Sequence, residues 1–453
     1  MKKITMLFAA AFAACVGYAG ALDMAWIKGT TDKNPLFYKK GETMVFTLEL
    51  MGLQDKIPEG EYFLSWNRTG DDGKKDAGKT PLGNEPFVYK TSLESPGFVR
   101  LYAVVVDKDG KEVIKTFTGD SNSPEGRKAF NRFEKLPKKI FFDGGAGVEI
   151  DTLQARPEPD DFDSFWAKAK AKLAKVPMNV KKVEIPSNKK GVKMWAVSVD
   201  CAGPRPVTGY LSVPEAVAEG KKFKAQFETH GYSYFVHQPG TWGGADRICF
   251  QINAHGQLLP AMGGNDEYYK KLGEEINPDK CGYAFSTREN ANPETAYFYG
   301  MVLRVMRGLQ FLKTVEGWNG KDIIAVGGSQ GGLQTIWAAA CGEGVTEARS
   351  GITWCCDLGG EELGRNRGGW YIHWAKGLGY FDAVNFAKRI PSDKCHTSIT
   401  RAGLGDYTCP PSGLAILWNN IKSNKDILWV QGSQHGYVPP ENYDGRDFKR
   451  EVK

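Results

Sequence analysis

The run Ile323-Ile324-Ala325-Val326-Gly327-Gly328-Ser329-Gln330-Gly331-Gly332 places a serine in a Gly-x-Ser-x-Gly pattern, between an apolar stretch and a helix-like segment, 330–340. In a chain with 54 glycines the bare pattern is weak; its place between strand and helix makes it informative. A turn tight enough to lift a hydroxyl above a strand end needs glycine wherever a side chain would collide. Gly327 and Gly331 stand at those places. The helix that follows begins with free backbone N–H groups, which favour developing negative charge, so the amide of Gln330 is a natural oxyanion donor.

A serine hydroxyl becomes a useful nucleophile at neutral pH when a base takes its proton and a carboxylate orients that base. Of the six histidines, only His373, His396 and His435 follow Ser329. His435 lies in Gln431-Gly432-Ser433-Gln434-His435-Gly436, directly after the apolar run 427–430, where a base is expected. His373 sits in Trp370-Tyr371-Ile372-His373-Trp374 and reads as aromatic cover, while His396 precedes a strand. Asp406 ends Ala402-Gly403-Leu404-Gly405-Asp406, and Cys409-Pro410-Pro411 stiffens the loop beyond it, which suits a fixed carboxylate. Asp357 also follows an expected strand and competes for the role, although that strand comes straight after the helix of Ser329. A second oxyanion donor belongs at the exit of an earlier strand. His230-Gly231-Tyr232 leaves the run 223–229, so the backbone amide of Tyr232 is the candidate and His230 organises the loop.

These residues need a sheet to hold them. Expected strands are 192–199, 207–213, 223–229, 322–326, 351–356, 397–404 and 427–431, with helices at 163–173, 295–315, 330–340 and 414–421. Asp160 or Asp161 is the expected N-cap of the first. Such alternation predicts a doubly wound α/β sheet with its site at the carboxyl ends of the strands, and the order serine, acid, histidine is that of an α/β-hydrolase. Ahead of it, Phe46, Leu48 and Leu50 alternate with Val45, Thr47 and Glu49, and 98–106 is a second strand. Asp109-Gly110 predicts a hairpin into 112–117, and 70–83 a polar, glycine-rich loop. The expected division is a leader at 1–21, an immunoglobulin-like β-sandwich at 22–145 and the α/β-hydrolase domain at 146–453.

The 453 residues, 41% hydrophobic and 25% charged, fit a globular chain of two domains. Lys2, Lys3, the apolar run 4–16 and Ala19-Gly20-Ala21 read as a secretory signal cleaved before Leu22, with lipidation at Cys15 as the lesser alternative. The run is too short to span a bilayer, and no later segment is long and apolar enough. Losing it lowers the net charge from +6 to +4, and the basic residues are interspersed with acidic ones, so no nucleic-acid footprint is indicated. Export would leave eight cysteines, a number compatible with disulfides, although adjacent Cys355 and Cys356 argue for buried free thiols. Neither the histidines nor Cys395-His396 have ligand spacing, so no metal is expected, and no strand leads into a Gly-x-Gly-x-x-Gly, so no cofactor is expected.

Residues 327–332 (GGSQGG), 403–412 (GLGDYTCPPS) and His230-Gly231-Tyr232, supported by 157–166 (PEPDDFDSFW), together resemble the acetyl xylan esterase and cephalosporin C deacetylase family of carbohydrate esterases. The similarity covers about 144–437. It implies deacetylation of acetylated poly- or oligosaccharides through an acyl-enzyme, with Ser329 as nucleophile, Asp406 as acid, His435 as base and the amides of Tyr232 and Gln330 as the oxyanion hole. The family's Arg-Gly-Gln element stands here as His255-Gly256-Gln257, which places His255 and Gln257 near the substrate, and Ser233-Tyr234-Phe235 follows Tyr232 where a glycine is usual. Trp242 and Trp370 are further candidate contacts, as stacking platforms for sugar faces. The N-terminal β-domain is an addition to the family's single-domain pattern and bears on its homo-oligomeric assembly. Two other readings compete. A serine peptidase of the prolyl oligopeptidase type shares the triad order, but its propeller cannot fit in about 120 residues; a glycan-binding protein with a degenerate hydrolase domain would lack a complete triad.

Overall fold

A computed structural model describes residues 22–453 apart from 54, 118–120, 122, 188, 235–238 and 441–442. The expected leader, with Cys15, and Phe235 lie outside the described residues. The apolar segments of the larger, C-terminal part pair into a ten-stranded sheet. Its order is Asp447–Val452, Lys425–Val430, His396–Gly403, Glu347–Gly351, Trp318–Gly328, Phe223–Thr229, Ile248–Ile252, Val207–Pro214, Val192–Val199 and Lys181–Ile185. From Lys425–Val430 through Ile248–Ile252 the strands run parallel, and antiparallel strands flank them. The chain adds Ile248–Ile252 on one side of Phe223–Thr229, then Trp318–Gly328 on the other, and winds outward from there. The crevice at such a reversal, at the carboxyl ends of the strands, is where ligands bind in sheets of this kind.

The helices Phe162–Ala174, Tyr297–Leu312, Gln330–Ala340, Ala383–Ala387 and Pro411–Asn420 pack in succession against one another and the sheet. Their buried residues, with Phe227, Phe250, Ile323 and Ile399, form the main core. Asp161 stands at the N-cap of Phe162–Ala174 without a capping side-chain bond, because its carboxylate accepts from the Tyr380 hydroxyl instead.

The N-terminal part is a sandwich of two antiparallel sheets. One contains Trp26–Thr31, Met44–Met51 and Phe87–Thr91; the other Asp76–Pro81, Tyr62–Gly70, Gly97–Asp107 and Phe141–Val148. Met44, Phe46 and Leu48 of the first face Leu64, Val99, Leu101 and Phe142 of the second in a separate core. The strand Phe141–Val148 runs past 145, so the sandwich ends at Glu149, whose φ of 44° breaks the strand.

Some expectations were wrong. Residues 351–356 are not a strand; the strand is Glu347–Gly351, and the apolar residues after it form a turn with positive φ at Ile352, Cys355 and Asp357. The loop 70–83 contains the strand Asp76–Pro81 at a sheet edge, where half-exposed residues give no apolar alternation. The hairpin arm 112–117 makes only isolated bridges, Val106 to Glu112 and Ile114 to Lys139. The helix Pro124–Phe133, capped by the Ser123 hydroxyl on the Gly126 N–H, was not anticipated. The eight cysteines from Cys201 to Cys409 are all free thiols. Among the described residues no helix is long and apolar enough to cross a membrane.

Candidate active site

Ser329 sits between Trp318–Gly328 and Gln330–Ala340 with φ 58° and ψ −121°, a conformation non-glycine residues rarely adopt. Close packing imposes it. A Cβ on Gly327 would stand 2.4 Å from Thr229 Oγ1 and 2.5 Å from Gly331 O, and one on Gly331 2.5 Å from Thr229 O. The Ser329 N–H donates to Gly351 O (2.9 Å), and its carbonyl accepts from Leu333 and Trp354 N–H, both at 3.1 Å. Both motif glycines therefore let the helix start press directly on the neighbouring strand, leaving the hydroxyl at the strand's end.

That neighbouring strand, Phe223–Thr229, leads into His230-Gly231-Tyr232. A Cβ on Gly231 would lie 4.0 Å from Ser329 Cβ, so this loop runs beside the serine. His230 organises it: Nε2 accepts from Ala254 N–H (3.0 Å), which leaves Nδ1–H to donate to Gly231 O (2.7 Å). Burial lowers its pKa, as a neutral ring requires. Among the described residues neither the Tyr232 nor the Gln330 N–H has an acceptor, so one backbone donor in the loop beside the serine and one directly after it are without a protein partner there, which suits an oxyanion.

Asp406 lies just beyond His396–Gly403, and His435 beyond Lys425–Val430, on the same edge of the sheet. His435 Nδ1–H donates to Asp406 Oδ2 (2.9 Å), while Asp406 Oδ1 accepts from the Thr408 and Cys409 N–H groups, both at 3.0 Å. The carboxylate is fully buried and the imidazole one-third exposed. This bond fixes the tautomer whose Nε2 lone pair is free to take a proton. Asp357 points elsewhere, into an ion pair with Arg365.

A family model for acetyl xylan esterase (AXE1) matches residues 149–359 and 372–449. The chain belongs to this family. It is 25% identical over 305 residues to the acetyl esterase Axe7A of Xylanibacter ruminicola, covering 63% of this chain and 65% of that relative's length. It is also similar in structure to the acetyl xylan esterase from Paenibacillus sp. R4, with a TM-score of 0.52 and 21% identity over 63% of this chain and 93% of that one. Acetyl xylan esterase 1 from Thermoanaerobacterium sp. gives the same TM-score at 20% identity, over 65% and 94% of the two chains. The ten-stranded sheet is thus the α/β-hydrolase sheet of these enzymes.

Of the candidate substrate contacts, Trp370 belongs to the site's surroundings: it is 40% exposed, stacks on Trp354 (5.2 Å, 13°) and stands edge-on to Tyr232 at 4.9 Å. Trp242 is exposed, with its backbone N–H held by Glu228. His255 and Gln257, expected to face substrate, are fully buried in this AXE1 member. His255 Nε2–H donates to Ser233 O and Nδ1 accepts from the Tyr297 hydroxyl, both at 2.6 Å, so the ring supports the Tyr232 loop instead. Burial pushes its pKa down to about 3, which keeps the ring neutral. Cys409 Sγ lies 3.7 Å from His435 Nδ1 and, with Asp406, makes a group of three possible metal ligands. The donor set does not fit a metal: the Asp406 oxygens are already committed, and burial with the Asp406 charge holds the thiol pKa far above its usual value.

Sequence reasoning missed the outer supports of the histidine loop. The Gln431 side chain bonds both the N–H and the carbonyl of Gly145 at 2.9 Å, and Gln434 Nε2 donates to Asp143 Oδ2 (2.7 Å). Asp143 is fully buried and pairs through both oxygens with Arg100, whose guanidinium lies 4.4 Å over the Tyr407 ring, next to Asp406. The last strand of the sandwich thereby holds the loop carrying His435 at two points, Gln431 and Gln434. No local signal links positions nearly 290 residues apart.

Proposed function

We propose that the chain is an exported serine esterase that removes acetyl groups from acetylated xylan or oligosaccharides. Ser329 Oγ attacks the acetyl carbonyl while His435 Nε2 takes its proton, and the Tyr232 and Gln330 N–H groups stabilise the tetrahedral oxyanion. Collapse breaks the bond to the sugar oxygen, which leaves with the proton from His435. Water then repeats the sequence on the acetyl-enzyme, releasing acetate and restoring the serine. Asp406 keeps His435 in the required tautomer and offsets the charge of the imidazolium.

The observation that carries this reading is the presence, beyond strands of the same sheet, of a strained serine at a strand-to-helix turn and of a histidine hydrogen-bonded to a buried carboxylate. Family membership and the names of the relatives favour acetyl esters of carbohydrates, and the stacked Trp354 and Trp370 offer an apolar wall beside the site. Residues 1–21 serve as the export signal and 22–149 as a supporting domain. The decisive experiment is Ser329→Ala, assayed on 4-nitrophenyl acetate and by acetate release from acetylated xylan. Both activities should fall by roughly 10⁴-fold or more. Retained turnover would exclude Ser329 as the nucleophile; loss of the small ester with no wild-type action on xylan would keep the chemistry and remove the polysaccharide.

A further inference from the structure

We propose that Tyr283 is a positioning residue for the oxyanion hole, one phenol holding its two arms at a fixed separation. The proposal rests on the assignment of Ser329, Tyr232 and Gln330 made above. Tyr283 lies outside every motif, in the irregular segment after Cys281-Gly282, and its side chain is completely buried.

Its hydroxyl accepts from the Ser233 N–H (3.1 Å) and donates to Gln330 Oε1 (2.8 Å). Ser233 follows Tyr232, so this single oxygen joins Gln330, which carries one proposed donor, to the residue next to Tyr232, which carries the other. The direction of each bond is fixed. An amide N–H can only donate, so the phenol hydrogen is left for the Gln330 carbonyl oxygen. That bond is the only polar anchor of the Gln330 side chain among the described residues.

The ring reinforces the link. Tyr283 stacks face to face on Tyr232, with centroids 4.0 Å apart and planes within 3°. The Tyr232 hydroxyl donates to the Tyr283 carbonyl (3.1 Å), and His255 packs edge-on against the same ring at 4.6 Å. Tyr232 is thus clamped at its ring, at its hydroxyl and through the next amide. Burial also raises the Tyr283 pKa well above its usual value, so the phenol remains a donor throughout the working range.

Oxyanion donors act only when charge develops, so a small displacement of either arm weakens transition-state binding and leaves substrate binding nearly unchanged. Tyr283→Phe keeps the stacked ring and deletes both hydrogen bonds. Per active site, counted by the burst of acyl-enzyme formation, kcat should fall about 10-fold, less than the roughly 100-fold loss of an oxyanion donor itself. KM should stay within about 2-fold, and affinity for a small boronic acid, which adds to the serine as a tetrahedral adduct, should fall in step with kcat/KM.

Counting sites by the burst removes misfolded protein from the comparison. Wild-type kcat per site, a raised KM alone, or undiminished boronic acid affinity would each overturn the proposal. Ser329→Ala, run alongside, separates this failure from failure of the underlying reading: an active alanine variant removes the nucleophile assignment, whereas an inactive one beside a fully active Tyr283→Phe removes only the role of Tyr283.

Discussion

Ser329 and the arm 230–233 are fixed from within the large sheet, whereas Asp406 and His435 are fixed partly from outside it. On the Ser329 side the constraint is backbone against backbone: Gly327 and Gly331 let Thr229 and the start of the helix Gln330–Ala340 approach to distances no Cβ would tolerate. On the histidine side, long-range side-chain bonds do the holding, from Asp143 and Gly145 of the sandwich to Gln434 and Gln431. The first kind of support lies within one sheet, Thr229 meeting Gly331 across 102 positions of sequence, and is intolerant of any added atom. The second depends on a separate layer of structure, and each of its bonds contributes a smaller share.

The largest effect is expected at Asp406, the proposed acid. In Asp406→Asn one oxygen can still accept from the Thr408 and Cys409 N–H groups, but the new amide faces His435 Nδ1 and favours the wrong tautomer. We expect kcat to fall by roughly 10⁴-fold with little change in stability. A fall of less than 10-fold would move the acid elsewhere, with Asp357 as the first alternative.

Gly331→Ala tests the backbone-held side. The added methyl would meet Thr229 O at 2.5 Å and the His230 carbonyl carbon at 3.1 Å, pushing the proposed oxyanion arm, 230–233, away from the serine. A displacement near 1 Å costs about 100-fold in rate, which is the expected loss in kcat/KM. Overpacking should also lower stability by about 1–3 kcal/mol, read as a drop in Tm. Near-normal activity would mean that this contact relaxes without consequence and that the two sides are held alike.

The same contrast explains what was legible in the sequence. The helix Gln330–Ala340 and the strands Val192–Val199 and Phe223–Thr229 match the expected bounds, because glycine punctuation and apolar runs act locally. The places of Ser329, His435 and Asp406 at strand ends were legible because each follows an apolar strand. The strand Glu347–Gly351 was hidden because it carries no large apolar residue, and Ser350 must be small: a Cβ on Gly332 of the packed helix would already lie 2.7 Å from Ser350 Oγ. The apolar residues after it drew the strand assignment but serve as a turn beneath Ser329, with Trp354 N–H on the serine's carbonyl. His255 was placed near the substrate from its motif position, yet its nitrogens are consumed by Ser233 and Tyr297, partners no spacing rule reveals.

Asp143→Asn carries the smallest expected effect and bears most directly on the role of the sandwich. The new amide would turn one N–H toward Arg100, losing half of a two-point ion pair, and weaken the acceptor for Gln434 beside His435. Breaking a buried pair typically costs about 3–5 kcal/mol, but Arg100 is a quarter exposed, so about 2–3 kcal/mol is the reasonable expectation, measured by urea denaturation. If the sandwich aims the histidine loop, kcat per active site should also fall, by about 3- to 10-fold, because a base displaced by a fraction of an ångström transfers its proton less efficiently. KM for a small acetyl ester should not change, since Asp143 lies behind the loop. A variant that loses stability but keeps full kcat per active site would make the sandwich a packing partner only, and His435 would then be held, like Ser329, by the large sheet alone.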